Sequence, residues 1–283
     1  MKFTAIINPA AGSVPEGAAK LLEAELQAHG HTLESVHLDL PESPEALRQR
    51  ITGDTEAILI WGGDGTIAAV LCGLQGMPVP VLVLPGGTMN ILPRKLHADQ
   101  TDWRRVLDSV LRNPSQQWIP AGDAGGRRFY VAALFGRLTH LGGSREAIRS
   151  GNLLEAINIL AREDALALDT ELEISAPVAA PRGVSATAAA VMPISGPEPG
   201  FEVAAMAPEN GLELAAAAFE AMLTGWRNGA DFLAQGLQSI SLCRDADETV
   251  AATIDGEPCD LPCPVEIDYV PRAALVLVSG DTA

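Results

Sequence analysis

The sequence predicts an α/β domain on a parallel sheet over residues 1–117, followed by a mainly antiparallel β domain over residues 118–283. Three observations lead there. Short apolar, partly β-branched runs alternate with amphipathic stretches through the first domain, the signature of strands and covering helices. Near Trp118 that alternation gives way to segments of period two. The chain's 283 residues are 47 % hydrophobic and its mean hydropathy is +0.17, enough to bury a core and inconsistent with disorder.

The elements follow in order. "KFTAIIN" reads as a buried strand. "EGAAKLLEAELQAHG" puts Ala18, Leu22 and Leu26 on one helical face and stops at Gly30. "TLESVHL" is a second strand, and "SPEALRQRI" a short helix capped by Ser43. "EAILIW" is a third strand, Thr66 to Leu74 a helix, "VPVLVLP" a fourth strand and "DWRRVLDSVLR" a further helix. Beyond Trp118, "RRFYVAALFG" reads as one strand and "REAIRSGNLLEAINILARE" as a helix. "SAPVAAPRGVSATAAAV" reads as a loop entering a strand. "ELEIS", "SATAAAVMP", "FEVAAM", "SISL", "TVAATI", "PVEIDYV" and "ALVLVS" are strands. Val265, Ile267 and Tyr269 share one face, with Glu266 and Asp268 on the other.

Charge narrows the function. Nineteen Lys and Arg stand against 36 Asp and Glu, a net charge of -17, which argues against a nucleic-acid partner and against passive adsorption on anionic lipid. The four cysteines, Cys72, Cys243, Cys259 and Cys263, are too few for a disulfide framework and read as reduced thiols. Cys259 and Cys263 lack common zinc spacing. "MKFTAIINPAAG" is too short in apolar length for a signal peptide, and no run has the length of a membrane helix. These features point to the cytoplasm. The helix around Arg145 and Arg149 reads as a solvated face sooner than a basic docking patch. The five histidines have no ligand spacing, and Trp61 reads as core.

The chemistry concentrates in "AILIWGGDGTIAAVLCGL". A buried strand ends at Gly62, Gly63, Asp64, Gly65 and Thr66 and a helix begins. Exposed amides at a helix start favour an anion, and glycines let backbone approach phosphate. Asp64 makes sense there with Mg²⁺ between it and the phosphates, or orienting a hydroxyl. The plainer reading is a strand-to-helix turn with Asp64 as cap. "PGGTMN" repeats the pattern with Gly86, Gly87, Thr88 and Asn90, and "NPAAGS" follows the first strand. Three such loops on one sheet edge would form a nucleotide cradle with Asn8 and Thr88 as side-chain donors. Far downstream, Asp255, Gly256 and Glu257 read on spacing alone as a β-turn.

In this order, "NPAAG", "GGDGT", "PGGTMN" and "DGEP" resemble the diacylglycerol kinase catalytic family, which includes bacterial lipid kinases, sphingosine kinases and ceramide kinases. The resemblance runs over essentially the whole chain. "GGDGT" alone is shared with NAD kinases; the later motifs are more specific. The resemblance implies a lipid kinase with ATP and Mg²⁺ between a Rossmann-like N-domain and a β-sandwich C-domain. It implies a lipid substrate met at a membrane surface, with peripheral contact at the inner face. Carried over by position, Asn8, Gly62, Gly63, Asp64, Gly65 and Thr66 line the phosphates, with Gly87 and Thr88 nearby. Glu257 matches the proton acceptor of bacterial relatives, and Asp64 the aspartate given that role, or the ordering of Mg-ATP, in the sphingosine kinase branch.

The chain also departs from the family. Ala68 and Ala69 stand where a polar residue and a glutamate are usual, Ile91 where aspartate is common, and Leu38 in place of a threonine. Pro199-Gly200 replaces an Asp-Gly tied to a structural metal, so no metal site is carried over. Asp123 matches a junction aspartate, with an ion pair or turn an equal reading. The departures leave open a non-catalytic nucleotide- or lipid-binding module on the same fold. Survival of both Asp64 and Glu257 favours activity.

Overall fold

The structure is a computed structural model of the chain and describes residues 1–40, 43–51, 53–136, 172–176, 180–206, 232–244 and 249–281. The chain divides into two compact units, Met1–Ile119 with Arg272–Ala283, and Pro120–Pro271.

The first unit runs β1 (Lys2–Ile7), α1 (Ala18–Ala28), β2 (Thr32–His37), α2 (Pro44–Gln49), β3 (Ala57–Gly62), α3 (Asp64–Gly73), β4 (Val81–Pro85), α4 (Ile91–Leu96) and α5 (Trp103–Arg112). Its strands lie in the order β2-β1-β3-β4, all parallel, as buried apolar strands joined by helices require. Ala18, Leu22 and Leu26 of α1 are buried as the spacing predicts. With Val106, Leu107, Val110 and Leu111 of α5 they cover Phe3, Ala5, Ile7, Leu59, Trp61 and Leu84 on one face of the sheet. Each large aliphatic buried there contributes on the order of 1.5–3 kcal/mol over its exposed state. On α2 the Ser43 hydroxyl accepts from Ala46 N at 3.1 Å, the expected cap. Leu47 packs so closely on Gly73 that any side chain there would strike it, which seats α2 on α3.

The second unit contains β6 (Arg127–Phe129), β7 (Ala133–Gly136), β8 (Leu172–Ala176), β9 (Ala180–Ala186), β10 (Ala188–Ile194), β11 (Gly200–Met206), β12 (Phe232–Leu237), β13 (Ser239–Arg244), β14 (Thr249–Ile254) and β15 (Glu257–Pro262), after β5 (Pro114–Ala124), which leads into it. An antiparallel sheet in the order β12-β11-β10-β7-β14-β15 forms one layer. β9, β8 and β13 continue antiparallel onto the start of β16 (Val265–Ser279). Between the layers lie Phe129, Phe135, Ile174, Val191, Phe201, Val203, Leu242, Val265 and Ile267. Val265 and Ile267 are buried while Glu266 and Asp268 are exposed, as the alternation predicts.

Several elements differ from the sequence reading. "PVEIDYV" and "ALVLVS" are one strand, β16. Its residues 265–268 pair with β13, and Val276 and Leu277 pair parallel with β4 in the first unit. The Ala/Pro-rich stretch expected as a loop contains β9. "RRFYVAALFG" is two strands, broken at Tyr130–Ala132 because those amides bond elsewhere. The helix expected over residues 145–163, with Arg145 and Arg149, lies outside the described residues.

Candidate active site

The order β2-β1-β3-β4 makes β1, β3 and β4 successive neighbours, so the loops leaving their carboxyl ends meet. They meet through backbone. Gly86 N donates to Gly62 O at 3.0 Å, and Ser13 N donates to Gly86 O at 2.9 Å. The Ser13 hydroxyl donates to Gly87 O at 2.9 Å, pinning the first loop to the third. A Cβ on Gly87 would lie 2.7 Å from Gly63 Cα, and one on Gly86 would lie 2.9 Å from Gly62 Cα. These glycines are therefore demanded by loop-on-loop packing, whatever the loops also bind. Asn90, with a positive φ of 51°, closes the third loop by accepting from Gly87 N at 2.7 Å and donating to Gly87 O at 2.9 Å.

Within the cluster, Asn8 Nδ2 donates to Thr66 Oγ1 at 2.9 Å, and Ala10 N donates to Asn8 Oδ1 at 3.0 Å. Thr66 is buried and Asn8 half-buried, so this pair ties the first loop to α3. Thr88 is exposed beside Gly12. Helix α3 begins at Asp64 and its helical bonds start with Ile67 N donating to Gly63 O. The first-turn amides of Asp64, Gly65 and Thr66 thus have no acceptor within the helix, and the helix dipole adds positive potential there. Asp64 stands in that turn, and its Oδ1 accepts from Leu92 N at 3.0 Å. The carboxylate therefore caps α4, a helix the sequence reading does not contain, instead of its own. Oδ2 takes no hydrogen bond from the described residues.

Glu257 lies in the second unit as the first residue of β15, and it is exposed. Its position is set by the turn before it. Asp255 holds a positive φ of 45° and Gly256 one of 86°, the turn the Asp-Gly pair suggests. Asp255 is more than a turn residue. Its buried carboxylate accepts from Tyr130 N at 2.7 Å, Val131 N at 2.8 Å and Ala132 N at 3.0 Å, and its own N–H donates to Ala132 O at 2.9 Å. Asp255 thereby anchors the hairpin bearing Glu257 to the β6–β7 junction. The sequence signal was available in an aspartate directly before a glycine, but spacing cannot reveal burial. Asp123 accepts from Gly126 N at 2.8 Å and lies 3.6 Å from Arg128, a turn and an ion pair.

Other candidates resolve as structure. Trp61 is fully buried, donates from Nε1 to Pro85 O at 3.2 Å and packs on Trp103. His97 donates to Val83 O at 2.9 Å, and burial pushes its pKa below the ordinary range. Among the described residues no three His, Cys, Asp or Glu side chains group to hold a metal.

A parallel α/β unit whose three loops meet at one sheet edge, followed by a β unit presenting a carboxylate on a hairpin, defines the class of fold. Comparison with known proteins sharpens the class. Residues 2–118 match the diacylglycerol kinase catalytic domain. The chain is 28% identical to a diacylglycerol kinase of Staphylococcus carnosus (strain TM300) over 144 residues, 48% of this chain and 45% of that protein. It is 30% identical to a diacylglycerol kinase of Bacillus subtilis (strain 168) over 140 residues, 48% of this chain and 46% of that protein. These matches span less than half the length of the curated relatives. In fold, the chain is similar to a crystal structure of a diacylglycerol kinase from Bacillus anthracis str. Sterne, with a TM-score of 0.69 and 17% identity, covering 100% of this chain and 98% of that one. It is also similar to an NAD kinase from Archaeoglobus fulgidus in complex with ATP, with a TM-score of 0.57 and 14% identity, covering 100% and 95%. The family match thus lies in residues 2–118, and the likeness in fold runs over the whole chain.

Proposed function

We propose that this protein is an ATP-dependent lipid kinase that moves the γ-phosphate of ATP to the hydroxyl of diacylglycerol, a ceramide or a related lipid. The observation that carries the reading is the meeting of three glycine-bearing loops at one sheet edge, within the segment that matches the diacylglycerol kinase catalytic domain. The residues fit a phosphate chain. The backbones of Gly62 and Gly63 lie directly against those of Gly86 and Gly87, and the first-turn amides of α3 stand beside them. The similarity to an NAD kinase structure holding ATP supports the same nucleotide here.

Asn8, Gly62–Thr66, Gly87 and Thr88 hold the phosphates in this reading. Mg²⁺ fits the donor set through Asp64 Oδ2 together with phosphate oxygens, and when bound it would offset the charge of the transferred group. In this reading a carboxylate oxygen of Glu257 accepts the proton of the lipid hydroxyl while the hydroxyl oxygen bonds to the γ-phosphorus, the bond from that phosphorus to the bridging oxygen breaks and ADP leaves. Asp255 keeps Glu257 on a rigid turn, and Leu92 N fixes the rotamer of Asp64.

A lipid substrate requires contact with a bilayer. Leu38 (53% exposed) and Leu40 (40%) follow β2, and Met89 (38%) and Ile91 (42%) follow β4. Both loops leave the carboxyl ends of parallel strands, the edge that bears the cradle. Leu38 and Ile91 are also two of the departures from the family pattern. These four residues support contact by apolar insertion, since the net charge of -17 disfavours attraction to anionic lipid.

One observation favours the alternative of a binding module without turnover: Asp64 has a structural task as the cap of α4. The test separates the two. Purified protein is incubated with γ-labelled ATP, Mg²⁺ and a mixed lipid extract, with NAD as a parallel acceptor. Label in a lipid supports the kinase, and mass analysis names its substrate. Label only in NADP, or ATP binding without any transfer, overturns it.

A further inference from the structure

Cys243 is the penultimate residue of β13 and Cys263 stands between β15 and β16, both within the second unit. Their Sγ atoms approach to 2.8 Å, about 0.8 Å beyond the roughly 2.05 Å of a disulfide bond, yet no disulfide joins them. The register brings them near: Leu242 pairs with Val265 across β13 and β16, Cys243 follows Leu242, and Cys263 lies two residues before Val265 at the same end of the ladder. Both cysteines are half-buried, so small reagents have access. No third His, Cys, Asp or Glu among the described residues joins them as a metal ligand set.

We infer that Cys243 and Cys263 are a redox modification site, closing to a reversible disulfide on reaction with hydrogen peroxide. One thiolate attacks the peroxide, forming a sulfur–oxygen bond as the oxygen–oxygen bond breaks and hydroxide leaves. The second thiolate attacks that sulfenic sulfur, the sulfur–sulfur bond forms and the oxygen departs as water. The two sulfurs lose two electrons, the peroxide oxygens gain them, and both thiol protons end in water. A dithiol reverses the step by exchange. The bond closes a segment that contains β14, Asp255, Glu257 and β15. It therefore shortens a loop of the unfolded chain and braces the hairpin at its ends.

The reduced protein is treated with a small excess of hydrogen peroxide, then alkylated and digested for mass spectrometry. The expected result is a species two mass units lighter, with a cross-linked peptide joining Cys243 to Cys263, a higher Tm and full reversal by dithiothreitol. Cys243→Ser and Cys263→Ser should each lower the yield of intramolecular disulfide by at least about tenfold, because proximity is what makes closure fast. Cys72 and Cys259 serve as references, and burial pushes the Cys259 thiol up, away from reactivity. A disulfide to Cys72 or Cys259, or addition of oxygen at Cys243 and Cys263 without the cross-link, would overturn the inference. So would an inert pair.

Discussion

Asp255 spends one buried carboxylate on three backbone amides and so fixes where Glu257 begins its strand. Asp255→Ala should cost about 2–4 kcal/mol in urea unfolding, since charge-assisted bonds are lost and amides are left buried. It should lower turnover as well. Glu257→Gln is exposed and should leave stability within about 0.5 kcal/mol while reducing kcat by at least about a hundredfold. Asp64→Asn keeps an oxygen for Leu92 N, so it should fold normally and lose turnover, whereas Asp64→Ala should lose both. His97 gives a pH signature. Burial, its largest influence, holds the folded ring neutral, while the bond to Val83 O works weakly the other way. Below about pH 6.5 the unfolded chain takes up a proton that the folded ring refuses, so stability is full above that pH and falls as pH drops toward the folded value. The urea midpoint should fall between pH 7.5 and pH 5.5, and His97→Gln should reduce that fall. The raised pKa of His29, held by Glu25 O and Asp108, acts with the opposite sign and is common to both proteins. At this scale the sequence singled out Asp64 through the glycines around it, and Glu257 only through the family resemblance. It could not reveal Asp255 as an anchor, because its partners lie more than a hundred residues away in sequence.

The loops after β1, β3 and β4 act as one element, with glycines chosen by contact. Gly87→Ala sets a Cβ 2.7 Å from Gly63 Cα and should cost about 1–3 kcal/mol and weaken ATP binding, read by calorimetry. Gly53→Ala, with open space around it, should change neither. Regular elements were legible where a buried face repeats, as in α1 with Ala18, Leu22 and Leu26, or where a cap stands out, as with Ser43. Helix α4 was not legible: six residues interrupted by Pro93 carry no period, and its cap comes from Asp64 on another element. Strand β9 was hidden by Ala and Pro composition, and the break before β7 by amides committed to Asp255.

At the scale of the molecule, the change of pattern near Trp118 announced two kinds of architecture. The return of the last residues to the parallel sheet, through Val276 and Leu277 beside β4, was invisible because parallel pairing at a distance leaves no local mark. The apolar edge makes a prediction at this scale. The quadruple variant Leu38→Ser, Leu40→Ser, Met89→Ser and Ile91→Ser should sediment with zwitterionic vesicles at least about tenfold less than the parent. Retained ATP binding should show that the cradle is intact. Unchanged sedimentation would remove these residues from the lipid contact. The central claim is phosphate transfer from a backbone cradle to a lipid hydroxyl, with Glu257 as proton acceptor. Its most direct test is the initial rate of label transfer from γ-labelled ATP to diacylglycerol or ceramide in mixed micelles, for the parent and Glu257→Gln at equal ATP occupancy. The account predicts a labelled lipid from the parent and at least about a hundredfold slower transfer by the variant. Equal rates would contradict the role of Glu257, and ATP binding without transfer in either protein would contradict the kinase itself.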